Sequence, residues 1–223
     1  MLIPSIDLMG GRIVQLVRGE KKALEFDDFD YWIERFSAYP LVQVIDLDAA
    51  MDSGNNSGLI ENMCKRLPCQ AGGGIRTIER GRELLRIGAK RVIFGSSLVK
   101  EGSIDSALAS EAARSLGAGQ LTFAIDSRHG TVAIKGWKQN TKITPQQMIE
   151  TLDGYCSAFL YTHIDTEGTM TGFPIHVARA LSRLTRKKMI VAGGIRSQSE
   201  VDELDSLGVD AVVGMAIYTG AMK

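Results

Sequence analysis

Two versions of one segment stand 120 residues apart in this chain. Ala71-Gly72-Gly73-Gly74-Ile75-Arg76-Thr77 is answered by Val191-Ala192-Gly193-Gly194-Ile195-Arg196-Ser197. The same offset carries Gly88 onto Gly208 and Val92-Ile93 onto Val212-Val213. Ser5-Ile6-Asp7 meets Ala124-Ile125-Asp126 with a slip of one residue, and Gly95 meets Gly214 likewise. Each aspartate is followed by a related segment, Gly11-Arg12-Ile13-Val14 or Gly130-Thr131-Val132-Ala133. A period of half the 223-residue chain is too long for a solenoid repeat. It reads as a duplicated half-domain, with halves near 1–118 and 119–223.

Each half alternates short apolar runs with amphipathic stretches. The runs are Leu2–Ile6, Leu41–Ile45, Cys69–Ala71 and Arg91–Phe94, then Leu121–Ile125, Ala158–Tyr161, Met189–Ala192 and Ala211–Val213. Short, largely apolar runs suit strands covered on both faces. Helical periodicity marks Thr77–Ile87, Ser103–Leu116, Pro145–Leu152, Ile175–Leu184 and Gln198–Leu207, with Thr77 and Ser197 as N-caps and Pro145 in a first turn. Eight such units in two equal halves predict an α/β fold: one (β/α)8 TIM barrel over 1–223, made of two (β/α)4 halves. An open doubly wound sheet does not account for the halving.

Lys+Arg and Asp+Glu are 26 each, which argues against a general nucleic-acid or anionic-membrane partner. No apolar run reaches the ~18 residues of a membrane span, and no signal peptide is visible at Met1-Leu2-Ile3-Pro4-Ser5. Cys64, Cys69 and Cys156 lack CxxC spacing and are odd in number, so a reducing, cytoplasmic setting is expected.

In such barrels chemistry gathers at the carboxyl ends of the strands. Asp7 and Asp126 end strands 1 and 5, which face each other across the mouth, an arrangement suited to acid/base work or substrate orientation. Gly73 and Gly74, with Arg76, follow strand 3. Gly95 and Ser96 follow strand 4. Gly193 and Gly194 follow strand 7, and Gly214 and Met215 follow strand 8. Glycine admits close backbone approach, and N–H groups at helix starts favour anions. One anion pocket per half fits an elongated ligand with a phosphate at each end and its reacting centre over the aspartates. Arg128 and Trp137 lie on the long loop after strand 5, and Thr162, His163 and Gly168 on the loop after strand 6. A hairpin is expected after strand 1, and Gly54-Asn55-Asn56-Ser57 reads as a surface turn. His163 lacks a His or Cys partner at ligand spacing and reads as a hydrogen-bonded loop histidine, so no metal is expected.

The chain resembles the HisA family of histidine-biosynthesis isomerases over nearly its whole length. The resemblance is carried by Ile3-Pro4-Ser5-Ile6-Asp7-Leu8, Asp46-Leu47-Asp48-Ala49-Ala50 and both glycine clusters. Glu167-Gly168-Thr169-Met170-Thr171-Gly172 adds to it, and above all Ile125-Asp126-Ser127-Arg128-His129-Gly130-Thr131-Val132-Ala133-Ile134-Lys135-Gly136-Trp137. It implies a metal-free and cofactor-free Amadori rearrangement of an aminoaldose ribotide carrying two phosphates. By resemblance Asp7 is the general base, Asp126 supports the substrate and ring opening, and Arg128 and Trp137 contact substrate. The family's acid is an aspartate in a Lys-Asp-Gly-Thr pattern, five residues after a threonine. Counted from Thr162, that place is Glu167, one methylene longer.

The family also continues about a dozen residues past this chain's Lys223 as a last outer helix. The outer face of strands 8 and 1 is therefore expected to be thinly covered, with a monomer or a weak homo-oligomer as the state. The sister cyclase carries lysines where this chain has Met9 and Gln15. Two other readings stay open at this point: a bifunctional isomerase that also takes phosphoribosylanthranilate, and a non-catalytic protein that binds a phosphorylated ligand.

Overall fold

Eight short strands close on themselves in the computed structural model, which describes residues 1–222. They are β1 (Leu2–Met9), β2 (Val42–Asp46), β3 (Cys69–Gly72), β4 (Arg91–Phe94), β5 (Leu121–Arg128), β6 (Ala158–His163), β7 (Lys188–Ala192) and β8 (Asp210–Val213). Each pairs in parallel with its successor. Val92 opposite Leu121 joins β4 to β5, and Leu2 opposite Ala211 closes the ring. A closed sheet has no free edge, and its helices cover the outside. The fold is the expected (β/α)8 barrel.

The helices that alternate with the strands are α1 (Phe29–Phe36), α2 (Ser57–Arg66), α3 (Ile78–Arg86), α4 (Ser106–Ala112), α5 (Pro145–Leu152), α6 (Ile175–Ser182), α7 (Gln198–Ser206) and the single turn α8 (Met215–Tyr218); a further single turn, Leu47–Ala50, directly follows β2. Local chemistry starts them where the sequence indicates. Thr77 and Ser197 accept the N–H groups of Arg80 and Glu200, and Thr144 with Gln147 forms a capping box ahead of Pro145. α4 begins later than Ser103, because Ser103–Ile104 pairs with Val99–Lys100 and Asp105 becomes the cap.

Two strands run further than their apolar residues. β1 continues to Met9 and β5 to Arg128, each pairing with a returning strand: Arg12–Val17 for β1 and Thr131–Ile134 for β5. Asp7 and Asp126 therefore sit inside rigid strands, two residues short of their ends, and not at the ends themselves. Asp7 gains Val14 as a partner, and Ser127 and Arg128 gain Val132 and Thr131, from the hairpins, which apolarity alone does not signal.

The core has two parts. A large outer layer lies between strands and helices and holds Phe36, Phe94, Phe123 and Phe159. A small inner cluster fills the barrel with Ile3, Ile93, Leu160, Ile190 and Val212. It shares the interior with a buried amide pair, Gln70 donating to Gln43 at 3.0 Å. All three cysteines are free thiols buried in the structure. Among the described residues no helix is long and apolar enough to cross a membrane.

The outer face near β8 and β1, expected to be thinly covered, carries an aromatic cluster. Tyr218 of α8 lies 4.2 Å from Trp32 and 5.3 Å from Phe26, centroid to centroid, and the buried Met222 is held to α8 by its N–H, which donates to the Ala216 carbonyl at 2.8 Å. Tyr218→Ala is expected to lower unfolding free energy by about 3–5 kcal/mol. Urea denaturation with an unchanged slope checks this, and a loss below about 1 kcal/mol contradicts the cluster's role.

Candidate active site

The carboxyl ends of the strands open on one cavity of about 230 Å³. Three acidic side chains line it: Asp7 from β1, Asp126 from β5 and Glu167 from the loop after β6. The lone basic side chain in the lining, Arg76, is already engaged, with Asp52 at 2.8 Å. Carboxylates that lose water without gaining a cation hold their protons more tightly. Asp7 is pushed up to about 6 by burial, with a hydrogen bond from Ser5 working against the shift. Asp126 is also raised by burial, against the effect of the Trp137 and Thr162 side chains. Glu167 is pushed up furthest, to about 8, first by burial and then by the charge of Asp7. Its Oε2 is buried and has no hydrogen-bond partner.

Three loops enclose these groups. The strand Arg12–Val17 turns back once more into Lys21–Phe26, and the N–H of Arg18 in that turn donates to the Glu167 carbonyl at 3.0 Å. Gly168, with a φ of +69°, lies so close to the Leu16 carbonyl that a side chain there would collide with backbone. Gly19 packs under the Trp137 ring in the same way, at a φ of +70°. Outside this seam Asp165 holds the tip of the fifth loop. It accepts the His129 N–H at 2.9 Å, and His129 Nδ1 lies 3.0 Å from its other oxygen. His163 is hydrogen-bonded, with Tyr161 at 3.1 Å, but it is the last residue of β6, paired with Ser127, and not part of the loop as expected.

Gly73, Gly74, Gly95, Ser96, Gly193, Gly194, Gly214 and Met215 all line the cavity, as do Thr162, Trp137 and Gly168. The two glycine pairs have a further reason to be glycine. A Cβ on Gly73 would strike the backbone of Asp46, and one on Gly193 the backbone of His163. Each thus lets a βα loop pack against the preceding one, in matching places of the two halves. Arg128 is the predicted residue that the cavity does not include. Its guanidinium donates to the Trp137 carbonyl at 3.3 Å and approaches Glu20 at 3.7 Å, in a separate depression outside the loops. The segment read as a surface turn after strand 2 is instead an anchor. Asn56 is buried and donates to Asp46 at 2.8 Å and to Asp48 at 2.9 Å.

Ser5, Gln15 and Gly19 line the cavity without having been singled out as site residues. Ser5 shares a strand face with Asp7, a signal the sequence did hold. The buried Gln15 side chain lies against Gly214, a contact made only when the hairpin folds back over β8. Among the described residues no group of three or more His, Cys, Asp or Glu gathers where it could hold a metal ion.

The chain matches the family described as histidine biosynthesis protein over residues 1–223. Similar proteins include the 1-(5-phosphoribosyl)-5-((5-phosphoribosylamino)methylideneamino)imidazole-4-carboxamide isomerase of Methanocaldococcus jannaschii. It is 33% identical over 227 residues, which cover 99% of this chain and 94% of the relative. Proteins of the same name from Archaeoglobus fulgidus and Methanococcus voltae are 33% and 32% identical, each alignment covering 100% of this chain and 94% of the relative.

A carboxyl that keeps its proton on folding stabilises the fold at low pH and loses that contribution as pH rises through its folded value. Glu167→Gln removes the penalty of ionising this buried group. The variant is therefore expected to gain stability relative to wild type as pH rises from about 5 to about 9. Thermal midpoints across that range check the sign, and a pH-independent gap contradicts the burial of Glu167.

Proposed function

The chain belongs to the histidine biosynthesis protein family, and from that premise we propose that it is the isomerase for which its relatives are named. It converts the aminoaldose ribotide, a small molecule with two phosphates, to the aminoketose by an Amadori rearrangement. The observation that carries the division of labour is the split between two carboxyl groups at one mouth. Asp7 sits at about 6 and Glu167 at about 8. Near neutral pH the first is mostly ionised and the second mostly protonated, the pairing an acid/base reaction needs.

Glu167 gives its proton to the ribose ring oxygen. The ring C–O bond breaks, and a protonated Schiff base forms between the former anomeric carbon, C1, and its nitrogen. Asp7 then takes the proton from C2, and the electron pair moves to neutralise the iminium as an enaminol. Protonated Asp7 then delivers its proton to C1 while the ionised Glu167 takes up the enol proton, which completes the ketose and returns both groups to their starting states. Asp126 supports the ring hydroxyls, with Trp137 and Thr162 beside it. Enclosure by the three loops keeps water from the Schiff base.

The two phosphates lie at the two glycine-lined ends, Gly73, Gly74, Gly95 and Ser96 on one side and Gly193, Gly194, Gly214 and Met215 on the other. With Arg76 tied to Asp52, backbone N–H groups provide most of the recognition. Arg128 acts by holding the Trp137 loop. The same reading takes 1–118 and 119–223 as duplicated halves of one barrel domain, which the matched surroundings of Gly73 and Gly193 support.

Purified protein is expected to turn over the aminoaldose ribotide with kcat/KM rising as pH passes about 6 and falling as it passes about 8. Asp7→Asn and Glu167→Gln are each expected to lower kcat by about 10²–10⁴. An active Asp7→Asn protein, or a wild type that binds the ribotide without turnover, contradicts the assignment.

A further inference from the structure

Ser5 and Asp7 are two apart on β1, so the pleat turns both side chains to the barrel interior. Ser5 is buried at 5% exposure and still lines the cavity. Its backbone is held on two sides. It stands opposite Gln43 of β2, and its carbonyl accepts the buried Tyr218 hydroxyl at 3.0 Å. Its own hydroxyl donates to Asp7 Oδ1 at 3.0 Å. Among the described residues no other side chain or backbone group donates to the Asp7 carboxylate. The titratable groups that feel its charge are Glu167 above it and Tyr218 behind it, while Asp126 acts on Glu167 from β5. None of these is a cation.

We propose that Ser5 is a positioning residue for Asp7: its hydroxyl fixes one carboxylate oxygen, leaves the other free for the substrate, and favours the ionised form that removes the C2 proton. This deepens the isomerase reading and rests on it. A donor to the charged form opposes the effect of burial. Without it the base moves toward the acid, and fewer molecules at neutral pH hold one group ionised and the other protonated. A hydroxyl suits the task, since it supplies one donor without adding a charge that would also ionise Glu167.

Two readouts test this on the full-length protein. Carbon-13 NMR follows the titration of the Asp7 carboxyl and needs no turnover, and the pH profile of kcat/KM follows the reaction. In Ser5→Ala the Asp7 midpoint is expected to rise by about one pH unit, so that kcat/KM falls about five-fold near pH 6 and hardly changes near pH 8. Ser5→Thr, which keeps the hydroxyl, is expected to restore the wild-type profile. Ser5→Cys keeps a weak donor and is expected to shift by less, which leaves a variant to read if Ser5→Ala does not fold. An Asp7 midpoint unchanged in folded Ser5→Ala or Ser5→Cys overturns the proposal. A shifted midpoint in a protein that does not turn over the ribotide supports the hydrogen bond and overturns the isomerase reading alone.

Discussion

Three acidic side chains meet in one cavity that offers them no free cation, and much of the structure is arranged around that fact. Burying a carboxylate without a compensating charge is costly, so the proton stays on where it can. The cost falls unevenly. Asp7 has a hydroxyl donor and Asp126 has the side chains of Trp137 and Thr162 beside it, whereas Glu167, despite the backbone N–H groups of Arg18 and Gly19, is penalised by burial, feels the charge of Asp7 and keeps one oxygen with no partner. Uneven support separates groups of similar intrinsic acidity into a base and an acid. The loops decide how far. Glu167 is buried because its backbone is bonded to Arg18 and because Gly168 and Gly19 let the loops touch without side chains between them.

Most of the barrel was legible because short apolar runs and helix caps are local signals. All eight strands and five of the helices fall where those signals put them. α1, α2 and the single turn α8 were not picked out, and the start of α2 at Ser57 was read as part of a turn, since the burial of Asn56 between Asp46 and Asp48 is set by tertiary contacts. The longer reach of β1 and β5 was hidden for a related reason, as the partners of their polar ends arrive from hairpins.

The site was legible to a similar degree. The repeat brought out Asp7, Asp126 and the glycine clusters, and the family pattern brought out Glu167. The sequence did not disclose that Gly73 and Gly193 make room for neighbouring backbone, that Arg128 turns away from the cavity, or that Ser5 serves Asp7. Each depends on which groups lie within a few ångströms across the fold. The extra methylene of Glu167 belongs here too. With the backbone at this position tied to the first hairpin, side-chain length sets where the carboxyl stands, and the loop has little freedom to compensate.

The most direct test is the protonation state of Glu167 in the unliganded protein at about pH 7, read as the protonated-carboxyl stretch in the infrared spectrum. The account predicts a band present at neutral pH, lost above about pH 8 and missing in Glu167→Gln. A Glu167 already ionised at neutral pH would contradict it, since the cavity would then hold no acid to open the ring.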